Sequence, residues 1–207
     1  MVILIGPKHS GKTSVGRELA RLLVVPFFDL DALIEERTGK SVRALYTAGP
    51  ELFRREEEAA LRVLLAGGEN GSDVPPAVCG VSPAGGLTTD GVLAAGGGLT
   101  DNPGAMALLG EGHLTVYLDV SAEAAWQRIT SAGELPPFLK ADTMEASMEK
   151  HRVLHQRRAE ACRKSARVCI SAEGKGPEEL AEELRGMMKR LSVSEDMAFQ
   201  PASARTL

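Results

Sequence analysis

The stretch with the clearest chemistry is a glycine-rich segment near the N-terminus. Residues 6–13 read Gly-Pro-Lys-His-Ser-Gly-Lys-Thr, which fits the pattern G-x-x-x-x-G-K-[ST]. In such a loop the backbone N–H groups turn inward on phosphates, the lysine reaches the transferred group and the hydroxyl binds magnesium. The segment follows a predicted strand (residues 2–5) and precedes a predicted helix (12–24), which is the context that this motif requires. The sequence therefore predicts a nucleotide site that contains Lys12 and Thr13.

Two carboxylates follow shortly after this motif. Asp29 and Asp31 stand two residues apart at the end of a second predicted strand, residues 25–30. Side chains two apart on a strand project to the same side, and ligands of such folds bind at the carboxyl ends of the strands. One carboxylate could hold magnesium while the other accepts the proton of an attacking hydroxyl. The alternative for Asp31 is a helix N-cap.

Three further candidates are ambiguous when each is taken alone. Arg54 and Glu57 lie three apart on a predicted helix, where they can contact each other, but their charged run is also typical of a solvated face. Arg158 belongs to a basic stretch on another predicted helix, and its guanidinium could grip a carboxylate or simply face solvent. Residues 96–98 are three glycines that could bring bare backbone against a ligand or form a flexible turn.

The elements that must position these residues alternate between strand and helix. Further strands are predicted at 91–95, 114–120 and 168–171, with helices at 32–37, 50–65, 122–131, 143–164 and 177–191. This alternation predicts an α/β fold with a doubly wound, parallel, five-stranded sheet and three layers. Residues 1–191 are predicted to form a single domain, with a loop insertion at 66–90 and a lid at about 131–143, and residues 192–207 a disordered tail.

Composition excludes several classes of protein. The formal net charge of -4 and an aromatic content of 4% do not favour a nucleic-acid-binding protein. No apolar stretch approaches the roughly 20 residues that span a bilayer, so a membrane protein is not expected. The cysteines, Cys79, Cys162 and Cys169, have no metal-ligand spacing and cannot all pair within one chain. A cytoplasmic protein is therefore expected.

Taken together and in this order, the motifs closely resemble the shikimate kinase family. The likeness rests on the phosphate loop, Phe28-Asp29-Leu30-Asp31, Glu35-Glu36-Arg37-Thr38-Gly39, Phe53-Arg54-Arg55-Glu56-Glu57, the triple glycine, Arg157-Arg158-Ala159 and Lys175-Gly176-Pro177. The resemblance implies a nucleoside-monophosphate-kinase-like fold of the P-loop NTPase class and a monomer. It also implies transfer of the ATP γ-phosphoryl group to the 3-hydroxyl of shikimate, a step toward chorismate and the aromatic amino acids.

The resemblance assigns roles as well. Lys12 and Asp31 look like the catalytic pair, with Asp31 orienting and deprotonating the attacking hydroxyl, while Thr13 and Asp29 look like the Mg2+ site. Shikimate would be held by four residues, Asp31, Arg54, Gly97 and Arg158. The two arginines would bind its carboxylate. The predicted ATP contacts are His9, Ser10, Gly11, Lys12, Thr13 and Ser14, with Lys175 and Pro177 on the adenine side.

The chain departs from the family pattern most seriously in the lid. The family normally carries an arginine before Pro-Leu-Leu, where this sequence reads Leu135-Pro136-Pro137-Phe138-Leu139. A lid arginine neutralises charge that develops on the transferred phosphoryl group. We expect Lys140 or Arg128 to compensate. Smaller departures are the insertion at 66–90, Glu160 where a proline is common, and the tail.

Two alternatives remain open from the sequence. Another small-metabolite kinase of the same fold, such as a gluconate-kinase-like enzyme, would have an equally good phosphate loop, but Asp31, Arg54 and Arg158 together argue against it. The other alternative is a catalytically weak, nucleotide-binding relative that serves as a sensor or interaction module. Pro136 favours this relative, whereas the complete set of predicted site residues favours a kinase.

Overall fold

The computed structural model describes residues 1–66, 91–110, 112–133 and 135–198, with side chains as far as Leu191. Its five strands are β1 (Val2–Ile5), β2 (Phe27–Asp29), β3 (Val92–Ala94), β4 (Leu114–Asp119) and β5 (Val168–Ser171). Its helices are α1 (Lys12–Leu23), α2 (Leu30–Thr38), α3 (Val42–Ala48), α4 (Pro50–Leu65), α5 (Pro103–Ala107), α6 (Ala122–Ser131), α7 (Met144–Ser165) and α8 (Pro177–Ala198). Short 3-10 turns occur at Leu99–Asp101 and Pro137–Leu139.

The five strands form one parallel sheet in the order β2-β3-β1-β4-β5. The central strand β1 pairs with β3 on one side and with β4 on the other, so that Ile3 lies opposite Leu93 and Thr115. The predicted fold class, a doubly wound parallel α/β sheet, is thereby confirmed. Because all strands are parallel, their carboxyl ends meet at one edge, where ligands of this architecture bind.

The core lies on both faces of the sheet because β1 is apolar throughout and its side chains alternate between the faces. Ile3 and Ile5 pack into one cluster, and Val2 and Leu4 pack into another. All four side chains are buried. Helices cover both faces, which gives the three layers that the sequence predicts.

Each helix buries the stripe that its sequence periodicity defines. On one face α1 and α8 pack together, with buried leucines such as Leu19 and Leu184. On the other face α2, α4 and α7 contribute residues such as Ile34, Leu61 and Cys162.

Differences from the predicted elements lie in short helices and at the C-terminus. The helices α3 and α5 are not predicted; they have 7 and 5 residues, too short to show a helical period. Helix α8 is predicted to end at Leu191 but continues to Ala198. The rest of the predicted tail, 199–207, and residues 67–90 of the predicted insertion lie outside the described residues. Of the described helices, none has the length and apolar character needed to cross a bilayer.

Candidate active site

The phosphate loop leaves the carboxyl end of β1 and runs directly into α1. Three of its residues, Gly6 (φ 151°), His9 (φ 61°) and Gly11 (φ 94°), adopt positive φ angles that turn the backbone sharply. Gly11 occupies the N-cap position of α1 and offers no side-chain cap. The first N–H groups of α1 therefore keep their hydrogen-bonding capacity for a ligand, and the positive end of the helix favours an anion there.

Lys12 is folded back over this loop. Its ammonium group donates to the carbonyl oxygens of Gly6 and Pro7, at 3.0 and 2.8 Å, and to the hydroxyl of Ser10 at 3.4 Å. Burial lowers the pKa of Lys12 to about 8, although the carboxylates of Asp31 and Asp29 favour its charged form. An incoming phosphate would stabilise the charged form further, so ligand binding and protonation of Lys12 favour each other.

Asp29 uses both carboxylate oxygens within the protein. Oδ2 accepts from the Thr13 hydroxyl at 2.9 Å, and Oδ1 accepts from the backbone N–H of Asp31 at 3.1 Å. The second bond makes Asp29 the N-cap of α2. The capping alternative for Asp31 is therefore wrong, because Asp31 lies inside the helix with its carboxylate towards the cleft.

Asp31 faces a second carboxylate, that of Glu57. A Cβ atom placed on Gly96 would lie 3.0 Å from Glu57 Oε1 and 3.1 Å from Asp31 Oδ1, so both oxygens press against this glycine. Desolvation and the like charge of Asp29 raise the pKa of Asp31, while Lys12 and Lys8 oppose that rise. A carboxylate with a raised pKa is a stronger proton acceptor, as a general base requires.

Glu57 is a member of this site for which the sequence suggested only a contact with Arg54 or a solvated face. Its Oε2 accepts from Asn102 Nδ2 at 2.9 Å, whereas Oε1 is buried with no partner in the described part of the chain. Burial raises the pKa of Glu57 to about 7. The signal was present, since Glu57 shares a helical face with the buried residues Leu61 and Leu64 of α4. The predicted contact with Arg54 is wrong, because Arg54 pairs with Glu51 instead.

The triple glycine after β3 brings backbone into contact with the phosphate loop. A Cβ atom on Gly97 would lie 2.8 Å from Lys8 N and 3.0 Å from Lys8 Cα, a separation that packed atoms do not tolerate. A Cβ atom on Gly98 would lie 3.2 Å from Arg158 Nη2. The glycines therefore allow three segments, the β3 loop, the phosphate loop and α7, to meet at one point.

Arg158 points inward, unlike its basic neighbours on α7. Its side chain is 15% exposed, compared with 66% for Arg157. Arg158 Nε and Nη2 both donate to Asp101 Oδ2, at 3.1 and 2.6 Å, and the guanidinium lies over the ring of Phe138. The solvated alternative is therefore wrong for Arg158, and a substrate carboxylate at this guanidinium would have to share it with Asp101.

These groups surround two cavities. The larger is an open cleft of about 520 Å³ whose lining includes most of the predicted site, namely His9, Gly11, Lys12, Thr13, Ser14, Asp29, Asp31 and Gly97. The smaller lies beneath the predicted lid and is lined by residues that include Lys8, Pro136, Phe138 and Arg158. Lys8 also lines the larger cleft.

Five predicted residues stand apart from the lining of the larger cleft; one of them, Pro177 at the start of α8, lines neither cavity. Ser10 is buried beneath the loop, and Arg158 lines the smaller cavity. Arg54 and Lys175 line neither cavity, and Lys175 forms an ion pair with Glu183 at 2.6 Å. The structure therefore brings the phosphate loop, both aspartates and Gly97 together but does not bring Arg54 or Lys175 to them.

The arrangement at the carboxyl edge defines a class of protein. A phosphate loop can hold the phosphates of a nucleotide, and a carboxylate across the same cleft can accept a proton from a hydroxyl nearby. This geometry, on a five-stranded parallel sheet, is that of a P-loop kinase.

Comparison with known proteins identifies the family. The shikimate kinase family model matches residues 8–70 and 86–189. Shikimate kinase of Mycobacterium tuberculosis (strain ATCC 25177 / H37Ra) is 33% identical over 192 residues, which cover 92% of this chain and 93% of the relative. Shikimate kinase of Mycobacterium avium (strain 104) is 34% identical over 176 residues, which cover 84% of this chain and 85% of the relative. The chain therefore belongs to the shikimate kinase family.

Solved structures agree with this assignment. Shikimate kinase from Acinetobacter baumannii in complex with shikimate has a TM-score of 0.74 and 26% identity, covering 92% of this chain and 93% of its own. A gluconokinase from Sinorhizobium meliloti 1021 has a TM-score of 0.54 and 17% identity, covering 96% and 97%. The gluconokinase shares the fold alone, so the structural comparison gives the gluconate-kinase-like alternative no further support.

Proposed function

We propose that the chain transfers the γ-phosphoryl group of ATP to the 3-hydroxyl of shikimate, giving shikimate 3-phosphate and ADP. Membership of the family makes it an ATP-dependent kinase with shikimate as acceptor. The observation that supports the site assignment best is the cleft of about 520 Å³ in which Asp31 faces the phosphate loop. Both partners of a transfer can meet there without leaving the edge of the sheet.

Asp31 orients the attacking hydroxyl and accepts its proton. Its raised pKa increases its basicity, while Lys12 and Lys8 favour the charged form that is needed to accept the proton. Arg158 binds the shikimate carboxylate, and Gly97 contacts the substrate through its backbone. Arg54, the second arginine proposed for the carboxylate, pairs with Glu51 and lines neither cavity, so it would have to leave Glu51 to reach the substrate. The pairing of Arg158 with Asp101 holds the guanidinium in place before substrate arrives.

The phosphate loop binds the nucleotide. The backbone N–H groups of His9, Gly11 and Ser14 and the N-terminus of α1 surround the phosphates, and Lys12 neutralises the group that is transferred. The Ser10 N–H, which donates to the Pro7 carbonyl at 3.2 Å, would turn to the phosphates only when the nucleotide binds. The Thr13 hydroxyl and the Asp29 carboxylate, 2.9 Å apart, suit Mg2+, which binds through one or two protein oxygens and completes its shell with water and phosphates. Magnesium bound there would neutralise phosphate charge. Lys175 is proposed for the adenine side, where it would have to leave its ion pair with Glu183.

We further propose that residues 1–191 act as a monomer of one domain in the cytoplasm. The described cysteines, Cys162 and Cys169, are free thiols, which suits a reducing compartment. Shikimate and ATP are then the partners of this chain, and neither nucleic acid nor a membrane takes part.

The test is ADP release from purified protein with ATP and magnesium, comparing shikimate, gluconate and no acceptor. We expect turnover with shikimate alone. Asp31→Asn should lower kcat by about 10²- to 10⁴-fold, because the hydroxyl loses its proton acceptor. Glu36→Gln, which removes an exposed carboxylate from the same helix, is the matched control and should leave kcat unchanged. Equal rates for Asp31→Asn and Glu36→Gln would contradict the role of Asp31.

One observation favours a second candidate, the nucleotide-binding relative with weak activity. Pro136 lines the smaller cavity and brings no charge to it. The same assay separates the two candidates, because this relative would bind ATP without shikimate-dependent ADP release.

A further inference from the structure

Lys8 lies between the two cavities and lines both. It lines the cleft that contains Lys12 and Asp31, and it also lines the smaller cavity that contains Pro136 and Arg158. The packing of its backbone against Gly97 fixes this position. Lys8 therefore lines the cleft in which a phosphoryl group would move from the phosphate loop to an acceptor beside Asp31.

The other cations around the two cavities are already engaged. Lys12 donates to Gly6, Pro7 and Ser10, as described above, and Arg158 is paired with Asp101. Arg128 Nη1 donates to the His9 carbonyl at 3.0 Å, and Nη2 donates to the Ala172 carbonyl at 3.4 Å, so this guanidinium braces the phosphate loop. Lys140 lines neither cavity.

Lys8 differs from these cations. No carboxylate or carbonyl among the described residues forms an ion pair or hydrogen bond with its ammonium group. Its charge nevertheless acts inside the site, since Lys8 lines the same cleft as Lys12 and Asp31. Lys8 also contributes to the lowered pKa of His9, for which burial is the larger cause. A lysine ammonium on a flexible four-carbon stem can follow a group that moves, which a braced guanidinium cannot.

We propose that Lys8 is a further catalytic residue, the cation that contacts the phosphoryl group while it passes from ATP to the acceptor. It does so where the lid carries the uncharged Pro136. The inference rests on the proposed function. In the step, the acceptor oxygen forms a bond to the γ-phosphorus, the bond from that phosphorus to the β–γ bridging oxygen breaks, and its electron pair leaves with ADP. The hydroxyl proton passes to Asp31. Lys8 neutralises charge on the phosphoryl oxygens and exchanges no proton.

The experiment compares kcat, the KM for shikimate and the Kd for ATP in four variants. Lys8→Met removes the charge but keeps the length of the side chain, and Lys8→Arg restores the charge. Lys40→Met is the matched control, since Lys40 is an exposed lysine that lines neither cavity. Lys140→Met tests the cation that the sequence offered for the lid.

Lys8→Met should lower kcat by about 10- to 100-fold, less than the loss of an arginine finger because the cleft is open to water. Its KM for shikimate and Kd for ATP should change less than about threefold, because the charge is needed in the transition state rather than for binding. Lys8→Arg should recover most of kcat. Lys40→Met and Lys140→Met should match the wild type.

Three results would overturn the inference. The first is a wild-type kcat in Lys8→Met. The second is a loss confined to KM, which would make Lys8 a binding residue only. The third is a large loss in Lys140→Met with none in Lys8→Met. A wild-type protein that shows no shikimate-dependent ADP release would refute the proposed function itself, and the role of Lys8 would fall with it.

Discussion

Replacement of Glu57 by glutamine tests the buried carboxylate beside Asp31. Glu57 is 1% exposed, and its pKa rises from 4.5 to about 7 because burial disfavours the charged form. Each pKa unit corresponds to about 1.4 kcal/mol. Ionisation of Glu57 at high pH therefore lowers the free energy of unfolding by about 3 kcal/mol relative to a carboxyl whose pKa is not shifted. The glutamine side chain would keep an oxygen for Asn102 and remove the charge.

The sign of the effect follows from proton binding. Between pH 4.5 and about 7 the folded protein keeps the Glu57 proton while the unfolded chain releases it. The free energy of unfolding of the wild type therefore falls across this window relative to that of Glu57→Gln, and the difference is constant above it. Between pH 4.5 and pH 8 the free energy of unfolding of Glu57→Gln should rise by about 2 to 3 kcal/mol relative to that of the wild type.

Urea unfolding at several pH values measures this difference. The single tryptophan, Trp126, is 9% exposed and provides a fluorescence signal for unfolding. Glu36→Gln, which removes an exposed carboxylate, is the control and should follow the wild type at every pH. If the curves for Glu57→Gln and wild type were parallel between pH 4.5 and 8, the argument that burial raises this pKa would be refuted.

Two further substitutions test assigned roles, and a third tests the close packing of Gly97 against the phosphate loop. Lys12→Ala should abolish transfer, with ADP release at least about 10²-fold slower, because the phosphate loses its cation; a wild-type rate would sink that role. Arg158→Ala should raise the shikimate KM by at least about tenfold with a smaller change in kcat, since a carboxylate contact is lost; unchanged steady-state kinetics would reject it. Gly97→Ala should weaken ATP binding and lower the free energy of unfolding by about 1 to 3 kcal/mol, because its Cβ would press on Lys8; a calorimetric Kd for ATP and a urea midpoint that both match the wild type would contradict the close packing.

Much of the fold could be predicted because its signals are local. The apolar run at residues 2–5, the glycine motif and the period of α1 each determine one element without reference to the rest of the chain. Helix α4 was predicted with both ends correct, since Pro50 marks its first turn. The helix α3 was missed because its 7 residues bury only Leu45 and show no stripe.

The site was harder to predict because its roles depend on atoms distant in sequence. The spacing of Asp29 and Asp31 predicts a shared location, but only the bond from Thr13 and the cap on α2 separate their functions. The spacing of Arg54 and Glu57 allows a contact between them. In the structure, however, the Glu57 carboxylate accepts a hydrogen bond from Asn102, which lies after the triple glycine. Such partners arise from the tertiary structure, which no local pattern encodes.

The basic stretch on α7 shows what periodicity could have added. The residues of this helix that are buried include His151, His155, Ala159 and Cys162. This spacing marks one helical face, and Arg158 lies at its edge whereas Arg157 lies off it. The apolar and small residues of α7 therefore define the buried face, and this face predicts Arg158 as the inward arginine without any comparison to a family.

The most direct test of the central claim is the identity of the product. Purified protein is incubated with ATP, magnesium and shikimate, and the products are followed by phosphorus and proton NMR. The account predicts ADP and a single phosphomonoester whose phosphorus couples to the proton at carbon 3 of shikimate. Inorganic phosphate alone, or a phosphate on another hydroxyl, would contradict it.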